Sequence, residues 1–176
     1  MMLFPNQRPT VRARILLEVG LAGNPVSLKQ LFPEEWERIR KMVYRNSGYH
    51  CEACGGQGSE WPVACQPVWT HDEQALIQRL VKFVALCPTC LDIWQWRINS
   101  SSASRYNQLC QTNGWTKEQA VAYVNDRLQA RAAMKEKNWA VHLVVLALDY
   151  QVDIEKVKKV MQSEASDDPE DFDLWR

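Results

Sequence analysis

Apolar positions recur at helical spacing in the first third of the chain. Trp36, Ile39 and Val43 stand at i, i+3 and i+7, so they form one apolar stripe on a helix. Pro33 suits the first helical position, and the two glutamates after it suit the positive end of the helix dipole. Gly48 tolerates the left-handed backbone that ends many helices. The pattern therefore predicts an amphipathic helix between Pro33 and Gly48.

The middle of the chain changes to strand-like spacing. Val63, Cys65 and Pro67 alternate with Ala64, Gln66 and Val68 ahead of Trp69, and residues 82–86 form a second short apolar run, so both segments predict strands. Residues 91–98 then predict the start of a helix, and the serine-rich stretch at 99–104 predicts a polar break. Two strands followed by a helix are the order expected for this region.

The C-terminal part predicts two helices and one further strand. Thr116 and Gln119 have the spacing of a capping box at the start of a helix. The apolar run at 139–148 suits a strand, although both of its faces are apolar and the period alone does not exclude a buried helix. Asp153 is placed to cap a last helix from Ile154 to Met161, ahead of an acidic tail.

Composition favours a globular protein with an uneven distribution of charge. The chain has 176 residues, of which 46% are apolar, which fits one domain of moderate size with an extension. Lys and Arg total 21 and Asp and Glu total 21, so net charge alone gives no attraction to nucleic acid. Residues 1–50 carry 8 basic and 4 acidic side chains, whereas residues 161–176 carry 1 and 6. This asymmetry favours a partner that recognises charge, with a solvated surface and a frayed tail as the alternative.

We expect a cytoplasmic protein without a membrane-spanning segment. The N-terminal pattern from Val11 to Leu21 predicts a short helix, and charged residues interrupt it where an export signal needs an apolar core. The longest apolar run, at 139–148, is too short to cross a bilayer. In a reducing compartment, we expect the six cysteines to be thiols or metal ligands rather than disulfides.

Four of the cysteines form two Cys-x-x-Cys pairs, Cys51 with Cys54 and Cys87 with Cys90. Four thiolates suit tetrahedral zinc, and the two-residue spacing lets one turn present both sulfurs to the same ion. A thioredoxin-like redox site needs one such pair rather than two. The 32 residues between the pairs are enough for a small domain. The sequence predicts one structural zinc per chain, because four cysteines leave no open coordination position.

Several motifs around these pairs resemble the zinc-containing HNH endonuclease domains of bacteria and phages. The chain reads CEACGG at the first pair, WPVACQPVW in the predicted first strand, QRL before the second strand and ALCPTC at the second pair. The stretch NGWTKEQAVAYV and the Trp-led apolar run after it resemble the C-terminal part of that group. The resemblance covers roughly residues 30–148. It implies an α+β fold with a zinc-stabilised ββα-metal core, flanking α-helices and a C-terminal strand–helix extension.

The resemblance also implies a division of the chain into three parts. They are an N-terminal extension at 1–30, an HNH-like zinc domain with a helical C-terminal part at 31–148, and a C-terminal helix with the acidic tail at 149–176. The sequence contains no internal repeat, and its serine run is too short to serve as a domain linker.

Three positions depart from the family pattern where its chemistry is carried out. The resemblance places the general base of such nucleases at Gln66 and the metal-binding helix positions at Leu91 and Gln95. Glutamine does not take up a proton near neutral pH, and leucine does not bind a cation. His71 is the only histidine between the cysteine pairs, but its odd offset from Gln66 puts it on the opposite face of a continuing strand. The resemblance therefore implies a pseudoenzyme without catalytic residues, with His71 as the alternative base.

A silenced nuclease fold leaves three functional hypotheses. The first is a nucleic-acid-binding protein, or a subunit of a nucleic-acid-handling complex, that contacts DNA or RNA through the basic stripe Arg38, Lys41 and Arg45. The second is a protein-interaction or inhibitor module whose acidic tail and tryptophans Trp94 and Trp96 engage a protein partner. The third is a divergent metal-dependent HNH nuclease. If Trp94 and Trp96 are exposed, they also suit base stacking, whereas a core role is their default.

Overall fold

The protein has an α+β architecture in a computed structural model that describes residues 15–20, 26–58, 60–96 and 102–165. Within these ranges one three-stranded sheet is surrounded by seven helices. The predicted acidic tail beyond 165 lies outside the described residues, as do parts of the predicted N-terminal helix and of the serine-rich break. The elements in chain order are α1 Leu28–Leu31, α2 Pro33–Asn46, β1 Ala64–Asp72, β2 Ile77–Leu86, α3 Pro88–Gln95, α4 Ser102–Asn113, α5 Lys117–Lys135, β3 Ala140–His142, α6 Val145–Tyr150 and α7 Ile154–Ala165.

Helix α2 follows the apolar stripe that predicts it. Its first residue is Pro33, and the backbone turns left-handed at Gly48, where φ is 62°. Ile39 and Val43 are buried, and the ring of Trp36 meets Phe83 of β2 edge-on with centroids 6.0 Å apart. The predicted helix is confirmed, and its apolar face covers one face of the sheet.

Strands β1 and β2 form an antiparallel hairpin, and β3 pairs with β2 in parallel. The register of the hairpin shifts between Val68 and Trp69, because these residues pair with Lys82 and Leu80 and leave Val81 of β2 as the extra residue. Since the extra residue belongs to β2, the alternation of side chains along β1 continues without interruption. This continuity decides which β1 residues share a face.

The middle of β2 is held by an aromatic cluster. Tyr150 of α6 meets Phe83 edge-on with ring centroids 5.0 Å apart. The backbone N–H of Phe83 also donates a hydrogen bond to the Tyr150 hydroxyl at 3.0 Å. Because Trp36 packs on the same ring, α2 and α6 are fixed against one face of the hairpin. The hairpin leads directly into α3, which packs against β2.

The strand predicted at 139–148 is wrong beyond its first few residues. Strand β3 ends at His142, and α6 begins at Val145. Leu143 and Leu146 are both 0% exposed, so a helical turn buries apolar residues three apart where a strand would alternate them. An apolar run without alternation permits either outcome, and packing on the sheet selects the helix.

The N-terminal segment is irregular rather than helical where the structure describes it, at 15–20. The backbone N–H of Leu17 donates to Asn113 Oδ1 at 2.8 Å, and Asn113 Nδ2 donates to the Leu17 carbonyl at 2.8 Å. Leu17 and Val19 are 0% exposed. The segment is therefore fixed by partners nearly a hundred residues away, which local spacing does not predict. The domain boundaries at 30 and 148 stay predictions.

The C-terminal helices begin where the sequence predicts them. Thr116 Oγ1 accepts from the Gln119 backbone at 3.3 Å, and Gln119 Oε1 accepts from the Thr116 backbone at 2.9 Å, which completes the capping box. Asp153 Oδ1 accepts from the backbone N–H of Lys156 at 2.9 Å and caps α7. In contrast, α4 was not predicted, although Leu109 within it is 0% exposed. Every helix in the described ranges is too short or too polar to span a bilayer.

Candidate metal centre and its surroundings

The four cysteines of the two pairs meet at the end of the hairpin. The sulfurs of Cys51, Cys54, Cys87 and Cys90 all lie within 4.8 Å of one another, and all four are free thiols. The Cys54 and Cys87 sulfurs are 3.7 Å apart. Zinc–sulfur bonds of about 2.3 Å in a tetrahedron place sulfurs about 3.8 Å apart. The cluster therefore fits one zinc ion, which would supply folding energy rather than chemistry because no coordination position stays open.

The first cysteine pair lies on a tight backbone turn. Gly55 has φ of 78°, and its N–H donates to the Cys51 carbonyl at 2.8 Å. The N–H of Cys51 donates back to the Gly56 carbonyl at 2.9 Å. The N–H of Gly56 reaches the Cys54 sulfur at 3.3 Å. The glycines after the pair thus let the backbone curl around the sulfurs and donate to one of them.

The second pair lies at the N-terminus of α3. Cys87 is the N-cap residue, Pro88 is the first helical residue, and the N–H of Leu91 donates to the Cys87 carbonyl at 2.8 Å. The helix begins three residues earlier than the predicted 91–98 because Pro88 starts it. A helix N-terminus favours negative charge, so this position stabilises thiolates at Cys87 and Cys90.

Glu52 connects the two pairs independently of a metal. Its backbone N–H donates to the Ala85 carbonyl at 2.9 Å, and its Oε2 accepts from the Ala85 N–H at 2.7 Å. The Glu52 carbonyl also accepts from Ile15 at 3.0 Å. Ala85 stands two residues before Cys87, so Glu52 aligns the first turn with the end of β2. Sequence reasoning missed this role, because a glutamate between two cysteines gives no signal of a strand-like pairing.

The thiols of the cluster differ in pKa. The Cys90 thiol and nearby backbone N–H groups donate to Cys51 and lower the pKa of that thiol to about 4. Burial raises the pKa of Cys87 to about 11, and donation to Cys51 raises the pKa of Cys90. Binding of zinc displaces such protons, so the affinity depends on pH. Cys65 is outside the cluster, and burial raises its pKa to about 12, which keeps it protonated.

The residues that the HNH resemblance assigns to the chemical positions are Gln66 on β1 and Leu91 and Gln95 on α3. Gln66 pairs with Val84, and strand alternation puts it on the face of the hairpin opposite Phe83. Its Nε2 donates to the Cys65 carbonyl at 3.0 Å. Leu91 is half-buried and Gln95 is exposed on α3. None of these three side chains takes up a proton near neutral pH, and Leu91 cannot bind a cation.

His71 lies on the other face of β1 from Gln66, as its odd offset predicts. It pairs with Gln78 and meets the ring of Trp139 edge-on with centroids 5.0 Å apart. Its Nε2 is buried and has no hydrogen-bond partner among the described residues. Burial, and secondarily the charge of Arg127, lower its pKa. His71 is therefore a neutral packing group near the hairpin turn, remote along the strand from the cysteines.

The basic stripe on α2 has two kinds of member. The Arg38 guanidinium donates to the carbonyls of Tyr150 at 2.6 Å and Gln151 at 3.1 Å, so it closes the C-terminal end of α6. Lys41 and Arg45 are exposed, and the Arg45 Nε contacts the Lys41 carbonyl at 3.4 Å. Arg38 thus has an internal structural role that the sequence did not reveal. The other two present their charges to solvent.

Trp94 and Trp96 do not form an exposed pair. Trp96 is 6% exposed, and it packs between Tyr106 at 5.2 Å and the Arg105 guanidinium at 5.4 Å, measured to the ring centroid. Trp94 is half-buried, and its indole lies where a side chain on Gly20 would stand. The interpretation of these rings as a surface for a partner or a base is wrong for Trp96, whose ring belongs to the core.

Two arginines that sequence reasoning missed fix α3 from outside. Arg105 of α4 donates to both carboxylate oxygens of Asp92, at 2.5 and 2.9 Å, and is 5% exposed. Arg131 of α5 donates to the carbonyls of Gly20 at 2.6 Å and Gln95 at 3.0 Å, at the C-terminal end of α3. Buried arginines usually have such paired partners, but the partners are not identifiable from spacing.

A small cavity lies on the α2–α6 side of β2. Its volume is about 210 Å³, and it is below the usual size of ligand pockets, about 300 Å³ or more. Among the described residues, no histidine or cysteine lines the cavity, so the cysteine cluster is the candidate functional site. The residues that line the cavity are Val43, Asn46, Glu52, Lys82, Phe83 and Tyr150.

Comparison with known proteins gives no relative. No protein-family model, curated protein or solved structure matches the chain. The site is therefore interpreted from its own residues and geometry.

Proposed function

We propose that the protein is a catalytically inactive, HNH-like zinc-binding protein that binds nucleic acid, alone or as a subunit of a nucleic-acid-handling complex. One observation carries the proposal. A closed four-cysteine cluster lies at the junction of a β-hairpin and a helix, while the resemblance assigns Gln66, Leu91 and Gln95 to the positions where HNH chemistry needs a base and metal ligands. The scaffold is kept and the reactive groups are missing.

The missing groups carry separate parts of the reaction. A general base contributes about 10²–10⁴-fold to a rate by taking the proton of the attacking water. The metal ion contributes several kcal/mol by stabilising charge on the phosphate. Gln66 cannot act as the base, and Leu91 has no atom that can bind a cation. His71 does not substitute for Gln66, because it is on the opposite face and packs on Trp139.

The surface charge supports nucleic acid as the partner. Lys41 and Arg45 are exposed on α2, which precedes the first cysteine pair directly. Binding to phosphates through such residues releases counterions, so it weakens as salt rises. Net charge is zero over the chain, so the attraction is local to this helix rather than a property of the whole surface.

A protein-interaction module is the second candidate function. It is favoured by the exposed apolar side chains of Trp61 and Leu148, which are 74% and 75% exposed. In that case a pull-down would find a protein, while gel-shift experiments would show no nucleic acid bound at any salt concentration.

A plasmid-integrity assay tests the loss of catalysis. We expect supercoiled plasmid to stay intact with Mg²⁺, Mn²⁺, Ni²⁺ or Zn²⁺. The triple variant Gln66→His, Leu91→His, Gln95→His tests whether the scaffold regains nicking, whereas each single change restores only one of two missing functions. If the natural protein nicks DNA and His71→Ala abolishes the activity, the protein is a divergent nuclease with His71 as its base.

A binding assay tests the partner. We expect the affinity of the natural protein for oligonucleotides to fall as salt rises, and the Lys41→Ala, Arg45→Ala variant to lose about two units of the salt slope at most. The matched control removes two exposed lysines elsewhere, Lys117→Ala with Lys158→Ala. No binding to DNA or RNA at low salt would overturn the nucleic-acid proposal.

A further inference from the structure

The first cysteine turn is flanked by two exposed aromatic rings. Trp61 is 74% exposed and Tyr49 is 47% exposed. The other tryptophans in the described ranges are buried or half-buried. Exposed aromatic rings are costly to leave in water and are typical of binding surfaces. The two rings are therefore not explained by the core or by the cysteine cluster.

Both rings are carried on anchored backbone. The Tyr49 N–H donates to the Tyr44 carbonyl at 2.9 Å, and the Tyr49 carbonyl accepts from Gln57 Nε2 at 2.9 Å. The Gly58 N–H donates to the Pro62 carbonyl at 3.0 Å, which closes the loop that carries Trp61. The loops of Tyr49 and Trp61 are thus both joined by hydrogen bonds to residues 57–58, which follow the first cysteine turn.

Two features of the backbone indicate that this arrangement is specified. A Cβ on Gly58 would overlap the Trp61 carbonyl and the ring of Pro88, so only glycine lets the loop pack on the second cysteine turn. Tyr49 has φ of 60°, which is uncommon for a bulky residue. Strained backbone of this kind is concentrated at functional sites. Tyr49 is thus held in an unfavourable conformation while its ring is partly exposed.

The surface next to the rings is basic. Lys41 and Arg45 are exposed one helical turn apart at the end of α2, and the Arg45 carbonyl accepts from Gly48 at 3.1 Å, just before Tyr49. Glu60, next to Trp61, is the acidic residue exposed in this loop. Cationic side chains beside exposed aromatic rings are the combination that binds single strands, with phosphates on the cations and bases stacked on the rings.

We propose that the surface formed by Lys41, Arg45, Tyr49 and Trp61, here called the knuckle surface, binds single-stranded nucleic acid. This inference rests on the proposed nucleic-acid function and names its substrate class and its site. A duplex keeps its bases stacked on one another and offers the two rings no partner, whereas a single strand supplies free base faces. With a net charge of zero, phosphate contacts alone give little affinity, so base stacking has to supply the remainder.

Fluorescence anisotropy with labelled oligonucleotides tests the knuckle surface. The probes are a single-stranded DNA, a single-stranded RNA and a DNA duplex of equal length, roughly 15 nucleotides, enough to exceed one ssDNA-binding site. The variants are Trp61→Ala and Tyr49→Gly, because glycine adopts the backbone conformation of Tyr49 without strain. Leu148→Ala is the matched control, since Leu148 is an equally exposed apolar residue on α6.

We expect the natural protein to bind the single strands more tightly than the duplex. Loss of one stacked base corresponds to a roughly 5- to 150-fold weaker affinity in Trp61→Ala, with a similar or smaller loss in Tyr49→Gly. Leu148→Ala should bind like the natural protein, and Glu60→Gln should bind more tightly. Zinc content and circular dichroism of each variant check that the fold is retained.

The outcomes separate this inference from the proposed function. Salt-dependent binding that is equal in the natural protein and in Trp61→Ala and Tyr49→Gly overturns the knuckle surface and leaves the nucleic-acid function standing. Tighter binding to the duplex than to the single strands would also overturn the knuckle surface and leave the nucleic-acid function standing. If the natural protein binds none of the three probes at low salt, the nucleic-acid function itself fails.

Discussion

The two ends of the β1–β2 hairpin are held by different kinds of interaction. At the end near the cysteines, four buried or half-buried sulfurs lie within 4.8 Å, next to the Glu52–Ala85 hydrogen bonds. At the turn end, β3 pairs with β2, and His71 packs edge-on against Trp139. One exposed ion pair, Lys137 with Glu73 at 2.8 Å, adds to the turn end. The first end is organised for a metal and the second is organised by packing.

This difference predicts which end of the hairpin would need a bound zinc ion to stay ordered. Apolar and aromatic contacts stabilise a structure without any ligand. Four clustered thiols contribute little by themselves, because the free energy of metal binding is what supplies folding energy at such a site. We therefore expect the turn end, with α5 and α6, to stay more ordered than the cysteine end when the metal is removed.

The largest effect is expected from the cysteine end. Cys51→Ser or Cys87→Ser should abolish stoichiometric zinc binding and give insoluble or unfolded protein, since zinc binding contributes about 10–16 kcal/mol in small zinc-finger peptides. Elemental analysis of the purified protein should find one zinc per chain in the natural protein. Cys110→Ser is the matched control, because Cys110 lies outside the cluster on α4. Soluble natural protein that contains no zinc would contradict the prediction.

A smaller effect is expected from an anchor of the cysteine end that does not use the metal. Arg105 is 5% exposed and pairs with Asp92 on α3, so Asp92→Ala removes both carboxylate contacts of a buried guanidinium. We expect a loss of about 3 kcal/mol in the free energy of unfolding, the low end for buried pairs, because Asp92 is half exposed. Urea denaturation measures it, with Glu155→Ala as control, since its pair with Lys158 is exposed.

If Asp92→Ala lowers zinc affinity as strongly as it lowers stability, the comparison changes. The cysteine end and α4 would then fold as one unit, and the division between a metal-held end and a packed end would be too simple. A chelator titration of the variant and the natural protein at equal pH distinguishes the two outcomes.

The sequence predicts well what depends on neighbours a few residues apart. The helix that begins at Pro33, the capping box at Thr116 and the two cysteine turns depend on local spacing, and all of them form. Tertiary partners are beyond local spacing. Arg38 closes α6 from more than a hundred residues away, and Trp96 is buried by residues of α4. An exposed-looking charge or aromatic residue on a helix thus gives no indication of its distant partner.

The wrong predictions at 139–148 and 15–20 also arise from contacts with distant residues. The apolar run at 139–148 lacks a decisive period, and its conversion to α6 depends on the aromatic cluster at Phe83. The segment at 15–20 is not helical, and distant side chains satisfy its backbone groups, as at Leu17. Wherever long-range hydrogen bonds select the conformation, sequence period alone was insufficient.

The capping box of α5 lies outside the hairpin, and its loss should lower the free energy of unfolding by an amount between the other predicted effects. Thr116→Ala removes the acceptor of the Gln119 N–H and should cost about 1 kcal/mol in the free energy of unfolding. Thr116→Ser, which keeps the hydroxyl, is the matched control. Because α5 belongs to the packed part of the molecule, the zinc content should not change. A drop in zinc content with the loss of the cap would mean that α5 and the cysteine end are coupled.

The smallest effect, a dependence on pH, is expected at the turn end. Burial, and then Arg127, lower the pKa of His71, while Glu73 opposes the shift. The folded state therefore binds this proton less readily than the unfolded state, whose histidine titrates near about 6.5. Stability from His71 is fully present above that pH and is lost as the pH falls below it toward the lowered pKa of the folded state.

Urea midpoints measured between about pH 7 and pH 5 test this sign. The natural protein should lose stability as the pH falls, and His71→Gln should lose less, because it removes the group that titrates. His50→Gln is the matched control, since His50 is exposed and lies before the first cysteine pair, away from the turn end. Zinc-saturated protein is needed, because thiolate protonation also depends on pH. An identical pH dependence in natural protein and His71→Gln would show that the stability of the turn end is not sensitive to this histidine.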